Sequence, residues 1–126
     1  MRERASALII DKKKLLLVTG HNSDGYWTPG GRIEKGETPE ECLKRELKEE
    51  LNVKMIEAKF YDEYTKENSF SKEMQHTRCY LVKIDGKPKS SSEITEIQWV
   101  KRNYKLRTSQ MFQDVIIAKL IRDELL

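Results

Sequence analysis

The sequence predicts a single α+β domain, a mixed β-sheet with helices packed against it. Three observations carry this expectation. A helix with a strong start signal occupies the middle of the chain, from Thr38 to about Leu51. Runs rich in β-branched and aromatic residues stand on both sides of it. The C-terminal stretch then shows helical periodicity. At 126 residues and 37% hydrophobic composition, the chain suits one core, so residues 1–126 read as one domain.

Each element has a local reason. "SALII" reads as a short strand, "DKKK" as a turn and "LLLV" as its hairpin partner. "TGHNSDG" is a polar loop, "YW" a short strand stopped by "TPGGR", and "EKGET" a turn into the helix. Thr38 suits the N-cap, and Pro39 takes the first helical position, where its missing N–H costs nothing. Glu41, three residues after the cap, completes a capping box. Asn52 fits the left-handed position that ends many helices.

Beyond the helix, "VKMIEAKFYDEY" and "MQHTRCYLVKI" read as an antiparallel strand pair, with "TKENSFSKE" as the loop between them. "DGKPKSSS" is a loop and "EITEIQWV" a third strand. In the last helix, Met111, Val115, Ile116, Leu120 and Ile121 form the apolar stripe.

Composition narrows the function classes. Net charge is +3 with the two signs mixed, which is a weak hint of an anionic partner and not the one-sided basic patch of a nucleic-acid binder. No apolar run approaches the roughly 20 residues of a bilayer crossing. The charged Met1–Ala5 and the short apolar stretch that Asp11 ends do not make a signal peptide, so a cytoplasmic protein is expected. Cys42 and Cys79 form no CxxC pair, which argues against zinc and for buried thiols in a reducing compartment.

The stretch Gly30–Val53 holds seven glutamates. At 100° per residue, Leu43, Leu47 and Leu51 make the apolar stripe of the helix. Glu46, Glu49 and Glu50 fall within about 100° of one another beside that stripe. Glu40 has Lys44 and Glu41 has Arg45 as ordinary i,i+4 partners, and Glu49 reaches back to Arg45. Glu46 and Glu50 have no basic partner three or four residues away inside the helix. Their repulsion costs about 0.2–0.5 kcal/mol, so a solvated acidic face remains an alternative on spacing alone. Three converging carboxylates also suit Mg²⁺, with Mn²⁺ as an alternative, bridging protein to phosphate. The pair Gly30–Gly31 allows close backbone approach to a ligand or ion.

These residues resemble the Nudix box, G-x5-E-x7-R-E-U-x-E-E-x-G-U, where U is bulky and aliphatic. Gly31, Glu37, Arg45, Glu46, Leu47, Glu49, Glu50 and Val53 stand at its specified positions, and Asn52 replaces a glycine. The box spans residues 31–53; "WTPGG" before it and "EITEIQWV" after it also resemble the family, as does the short length of its MutT-type branch.

The resemblance implies an α/β/α sandwich and a Mg²⁺-dependent hydrolase of a nucleoside diphosphate linked to another group. The expected substrate is a (d)NTP or an oxidised purine nucleotide, cleaved to monophosphate and pyrophosphate. It implies metal binding by Glu46, Glu49 and Glu50 with the Gly31 carbonyl. Arg45 would orient a glutamate, and Glu37 would close the loop. Glu49 or Glu96, with Glu93 as the neighbour of the latter, would be the general base.

The same resemblance leaves room for ADP-ribose, sugar nucleotides or diadenosine polyphosphates. The absence of a proline about 15 residues after the box speaks against the first. A non-catalytic nucleotide-binding module is a further alternative. The expected partner is a small nucleotide rather than a membrane or a stably bound nucleic acid, and a homodimer is expected from family habit. Trp27, Trp99 and Tyr26 are candidates to stack a base or to fill the core. Gln110 and Gln113 are candidates for a base pocket, and Arg78 and Lys83 for phosphate contacts; His21 and His76 receive no catalytic role.

Overall fold

Four consecutive apolar residues, Leu15, Leu16, Leu17 and Val18, are all fully buried. A strand can bury such a run only when both faces of its sheet are covered. The computed structural model describes residues 1–21, 23–67 and 71–126. Its strands are β1 (Arg2–Leu8), β2 (Ile10–Asp11), β3 (Lys14–Gly20), β4 (Gly30–Arg32), β5 (Lys54–Glu67), β6 (Met74–Asp85) and β7 (Ile94–Val100). Helix α1 spans Pro39–Leu51. Near the C-terminus a π-helical segment, Phe112–Ile117, runs into α2, Ala118–Arg122.

The strands form two sheets, in the orders β4-β1-β6-β5 and β2-β3-β7. The first is mixed, because β1 is parallel to β6 and antiparallel to β4. The second is antiparallel. Two stretches of chain pass from one sheet to the other. The "SALII" strand splits: β1 ends at Leu8, and Ile10 pairs with Leu15 in the second sheet. Its turn is Lys12–Lys13, both at positive φ, 50° and 61°, as a two-residue hairpin demands. Likewise Trp27 pairs with Val18, whereas Gly30–Arg32 pairs with β1. "GGR" is thus the strand, where "TPGGR" was expected to stop one. Nearby residue Asn22 and residues 68–70 of the expected loops lie outside the described residues.

Alternation divides the interior in two. Ala5, Ala7 and Ile9, with Leu16 and Val18, face Cys42, Leu43, Leu47 and Leu51 of α1. Leu8, Leu15 and Leu17 face Phe112, Ile116, Ile117 and Leu120 on the opposite side. This is the helix–sheet–helix layering expected. The last helix turns its apolar face further than a 3.6-residue period would. Phe112 and Ile117 are buried, whereas Met111 is 37% exposed. The wider π-helical turn accounts for the rotation.

The long edge strand β5 runs through Glu67, three residues beyond the expected "DEY" terminus. Register shifts at Met55/Glu57 and Phe60/Asp62 interrupt its pairing with β6.

The start of α1 is built as the sequence requires. Glu41 N donates to Thr38 Oγ1 at 3.1 Å and Thr38 N to Glu41 Oε1 at 2.8 Å. Asn52 closes the helix at φ 54°, ψ 42°. Replacing Thr38 by Ala removes one side of this box. It should lower unfolding free energy by about 1 kcal/mol, as measured by urea denaturation, with no change in the denaturant slope.

Candidate active site

Helix α1 lies with Leu43, Leu47 and Leu51 against the sheet, and that orientation decides where its glutamates go. Glu50 is turned inward and is 2% exposed. Its Oε1 accepts a hydrogen bond from Gly30 N at 3.0 Å. Burial pushes its carboxyl up to about 7. Glu46, one turn earlier, is half-buried, and burial also raises its pKa, against the opposing pull of Arg45. Glu49 stays exposed.

The two glycines ahead of the helix serve different ends. Gly30 has φ +143°, and a Cβ there would lie 2.1 Å from the Ala5 carbonyl oxygen. Glycine at this position permits the close pairing of β4 with β1. At Gly31 a Cβ would lie 2.5 Å from the Glu46 carboxyl carbon. The missing side chain is therefore the space in which Glu46 sits. The Gly31 carbonyl accepts a weak hydrogen bond from Cys42 Sγ at 3.4 Å.

Arg45 organises the outer side. Its Nε donates to Glu37 Oε2 at 2.9 Å, and Nη2 to Glu37 Oε1 at 3.0 Å. Nη1 donates to Glu46 Oε1 at 2.7 Å and lies 3.9 Å from Glu49 Oε2. The paired guanidinium holds the Glu37 carboxyl down at about 2. Glu37 also closes the turn by accepting from Glu34 N at 3.0 Å.

The third carboxylate of the cluster comes from outside the helix. One oxygen each of Glu46, Glu50 and Glu93 lie within 4.8 Å of one another. Glu93 is delivered by the loop before β7. Within that loop, Lys89 N donates to Leu51 O at 3.0 Å and Ser91 N to Glu50 O at 2.9 Å. These bonds satisfy two of the carbonyls left open at a helix C-terminus. Glu96 stands apart. It accepts from the Tyr26 hydroxyl and from Gln98 Nε2, and the Tyr26 hydrogen bond first of all lowers its pKa.

A cavity of about 580 Å³ has Thr28, two residues before Gly30, in its wall, and Glu46, Glu50 and Glu93 are not in its lining. Its aromatic lining is Tyr26, Trp27, Tyr64 and Phe112, and Gln75 and Gln110 add amides. Trp27 is at once core and cavity wall. Trp99 and Gln113 are not part of the lining; the Gln113 amide braces Thr108 instead. Arg78 and Lys83 lie off the cavity and pair with Glu3 and Glu57. His76 is clasped between Glu3 and Glu63, and His21 is exposed.

Three cations stand at the cavity wall, Lys66, Arg107 and Arg4, all missed by sequence reasoning, and Arg4 is the one tied to the site. Its Nη2 donates to Thr28 O at 2.8 Å, and its charge acts on the Glu50 carboxyl. The only signal for it was an arginine alternating with Ser6 and Leu8 on a strand face.

The donor set fits a hard divalent cation. Three carboxylates converge, and burial raises the pKa of two of them, Glu46 and Glu50. The sign of the resulting pH effect follows from Glu50. Its pKa rises from 4.5 to about 7 on folding, so the folded state keeps a proton that the unfolded state releases. Stability is fully present below 4.5, declines as pH rises to about 7, and stays lower above it. Glu50→Gln removes the charge and keeps an acceptor for Gly30 N. In EDTA at pH 8 this variant should be more stable than the parent by up to about 3 kcal/mol, and the two should converge at pH 4. Urea unfolding at both pH values checks this; an equal difference at both would refute the charge explanation.

A model of the NUDIX domain matches residues 1–118. The 8-oxo-dGTP diphosphatase of Proteus vulgaris is 35% identical over 72 residues, 43% of this chain and 64% of that protein. The mRNA-decapping enzyme subunit 2 of Saccharomyces cerevisiae is 30% identical over 116 residues, 86% of this chain but 11% of that protein. The chain therefore spans only part of these relatives. The crystal structure of the MutT NUDIX hydrolase from Burkholderia pseudomallei shares the fold, with TM-score 0.83 and 18% identity over 94% of this chain and 97% of that one. By the extent of the family match, and with the box residues assembled as described, this chain belongs to the NUDIX domain family.

Proposed function

We propose that the protein is a Mg²⁺-dependent hydrolase of nucleoside triphosphates, with oxidised purine forms among the candidate substrates, giving a monophosphate and pyrophosphate. One observation carries this reading. The segment Thr28–Gly31 has the aromatic cavity at Thr28, the buried Glu50 carboxylate at Gly30 and the half-buried Glu46 carboxylate at Gly31. A base in the cavity would set its phosphates against the carboxylates.

In this reading Glu46, Glu50 and Glu93 hold the ion, and the Gly31 carbonyl and Glu49 are further candidate ligands. When bound, Mg²⁺ neutralises pyrophosphate charge and lowers the pKa of a coordinated water. The protein's own groups do the rest. Arg45 fixes the Glu46 carboxylate through Nη1 and is itself fixed by Glu37. Glu49, exposed beside Arg45, is the candidate to accept a proton from attacking water. Glu96 is the weaker candidate, since its lowered basicity and its bond to Tyr26 suit it to orienting that ring. Tyr26, Trp27, Tyr64 and Phe112 would sandwich a base, and Gln75 and Gln110 would read its edge. Two buried free thiols fit a reducing compartment such as the cytoplasm.

The test is a screen of (d)NTPs, 8-oxo-dGTP, ADP-ribose and sugar nucleotides with Mg²⁺ or Mn²⁺, reading pyrophosphate against phosphate. Pyrophosphate release from a triphosphate is expected. Glu46→Gln and Glu50→Gln should each lower kcat by about 100-fold or more. Unchanged turnover in Glu50→Gln would remove the metal role. Tight nucleotide binding without metal-stimulated turnover would instead indicate a binding module.

A further inference from the structure

Ile94 and Ile97 of β7 are three residues apart, yet both pack into the core on the α1 side. Strict strand alternation would send them to opposite faces. The register gives the reason. Thr19 pairs with Glu96 and Gly20 with Ile94, so Thr95 is an extra residue in β7. This bulge turns Ile94 and Ile97 to the same side. The Thr95 hydroxyl donates to Thr19 O at 3.5 Å. The two acids of the segment part company across the bulge. Glu96 bonds Tyr26, and Glu93 joins Glu46 and Glu50.

Gly20, opposite the bulge, closes on the Glu93 backbone. A Cβ at Gly20 would lie 2.7 Å from the Glu93 carbonyl oxygen and 3.6 Å from the Trp27 ring. The first separation is far inside van der Waals range, whereas the second is ordinary contact. Gly20 does not have a positive φ, unlike Gly30, Gly36 and Gly86. Its backbone conformation therefore needs no glycine, and close approach alone calls for one.

On its other side the same loop is tied to the helix. Ser91 N donates to Glu50 O at 2.9 Å, Lys89 N to Leu51 O at 3.0 Å, and Ile94 N to Ser91 O at 3.1 Å. The Glu93 peptide is thus held between the α1 C-terminus and Gly20. Backbone fixed on two sides cannot yield to a methyl group without carrying its side chain along. A Mg²⁺ site tolerates little such movement, because the ion demands near-ideal octahedral geometry.

We propose that Gly20 is the positioning residue of the third carboxylate. The space left by its missing side chain seats the Glu93 backbone where its carboxylate meets Glu46 and Glu50. The inference rests on the metal reading above and gives a role to a residue outside both the box and the cavity lining. Gly20 touches neither ion nor nucleotide and acts through Glu93.

The test is a double-mutant cycle of Gly20→Ala and Glu93→Gln, reading Mn²⁺ affinity of the nucleotide-free protein from the EPR signal of the free ion. Far-UV circular dichroism and urea unfolding in EDTA establish that each variant folds. Gly20→Ala should raise the Mn²⁺ Kd about tenfold, as lost supporting contacts do at metal sites. Glu93→Gln should raise it at least as much. In the Glu93→Gln background, Gly20→Ala should add less than about twofold, because its effect passes through that carboxylate. Ser91→Pro removes the N–H bonded to Glu50 O and loosens the seat from the helix side, so it should weaken Mn²⁺ binding as well.

A Mn²⁺ Kd unchanged in Gly20→Ala, or losses that add in the double variant, would overturn the proposal. Should Gly20→Ala not fold, unchanged Mn²⁺ affinity in Ser91→Pro would overturn it instead. A parent that cleaves no nucleotide would sink the hydrolase reading alone, since the cycle decides Gly20 without turnover. A parent that binds no Mn²⁺ would remove the metal site, and the role of Gly20 with it.

Discussion

The hydrogen bond from Gly30 N to Glu50 joins the acidic helix to the sheet, and the rest of the site depends on it. It requires a glycine able to hold φ +143° against the Ala5 carbonyl. It also requires a carboxylate carried into the interior, where charge is costly. An apolar residue at position 50 would suit the core and remove the site. The cost is accepted locally because the backbone N–H compensates part of it and a divalent ion would compensate the remainder. Stability and chemistry thus oppose each other at one side chain, a familiar condition of catalytic residues.

Around that bond the two faces of the sheet divide their tasks. The α1 face packs leucines and presents carboxylates. The opposite face holds the aromatic cavity and Arg4. The chain crosses between the sheets at Leu8–Ile10 and again at Trp27–Gly30. These crossings leave one sheet edge beside the other and put backbone from both sheets around one space. Strand alternation keeps the β1 arginines off the α1 face, and the carboxylates reach that face from helix α1 and the loop before β7. Arg4 and Ala5 are neighbours in sequence and point to different tasks.

Local chemistry was legible in the sequence. Thr38, Pro39, Glu41 and Asn52 each have a conformational preference that needs no tertiary context, and α1 begins and ends where they put it. The carboxylate spacing put Glu46 and Glu50 on one side of the helix, and an oxygen of each lies within 4.8 Å of the other. Helical spacing could not show which neighbour would complete the cluster. Glu93 reaches it through a loop docked on the α1 C-terminus, a contact between residues about 40 positions apart. Glu49, adjacent on the helical wheel, is turned toward solvent and Arg45 because the leucine stripe sets the rotation. Arg4 was invisible for a related reason. A lone arginine on a short strand acquires meaning only when β4 and β6 bring Arg32 and Thr77 beside it. The π-helical turn was also illegible, since the apolar spacing of "MFQDVII" satisfies a 3.6-residue period nearly as well.

Strand β5 bears on how this molecule behaves in a crowded solution. A strand of 14 residues at the border of a sheet offers a row of unsatisfied amides to any other extended chain. Here two bulges break its straightness, and Lys54, Glu57, Lys59 and Glu63 punctuate it with charge. The opposite border, β4, is only three residues long. Between these bulges and charges at one rim and brevity at the other, the first sheet offers little straight edge to a neighbouring chain, even though Ile56 and Phe60 sit uncovered on the longer rim.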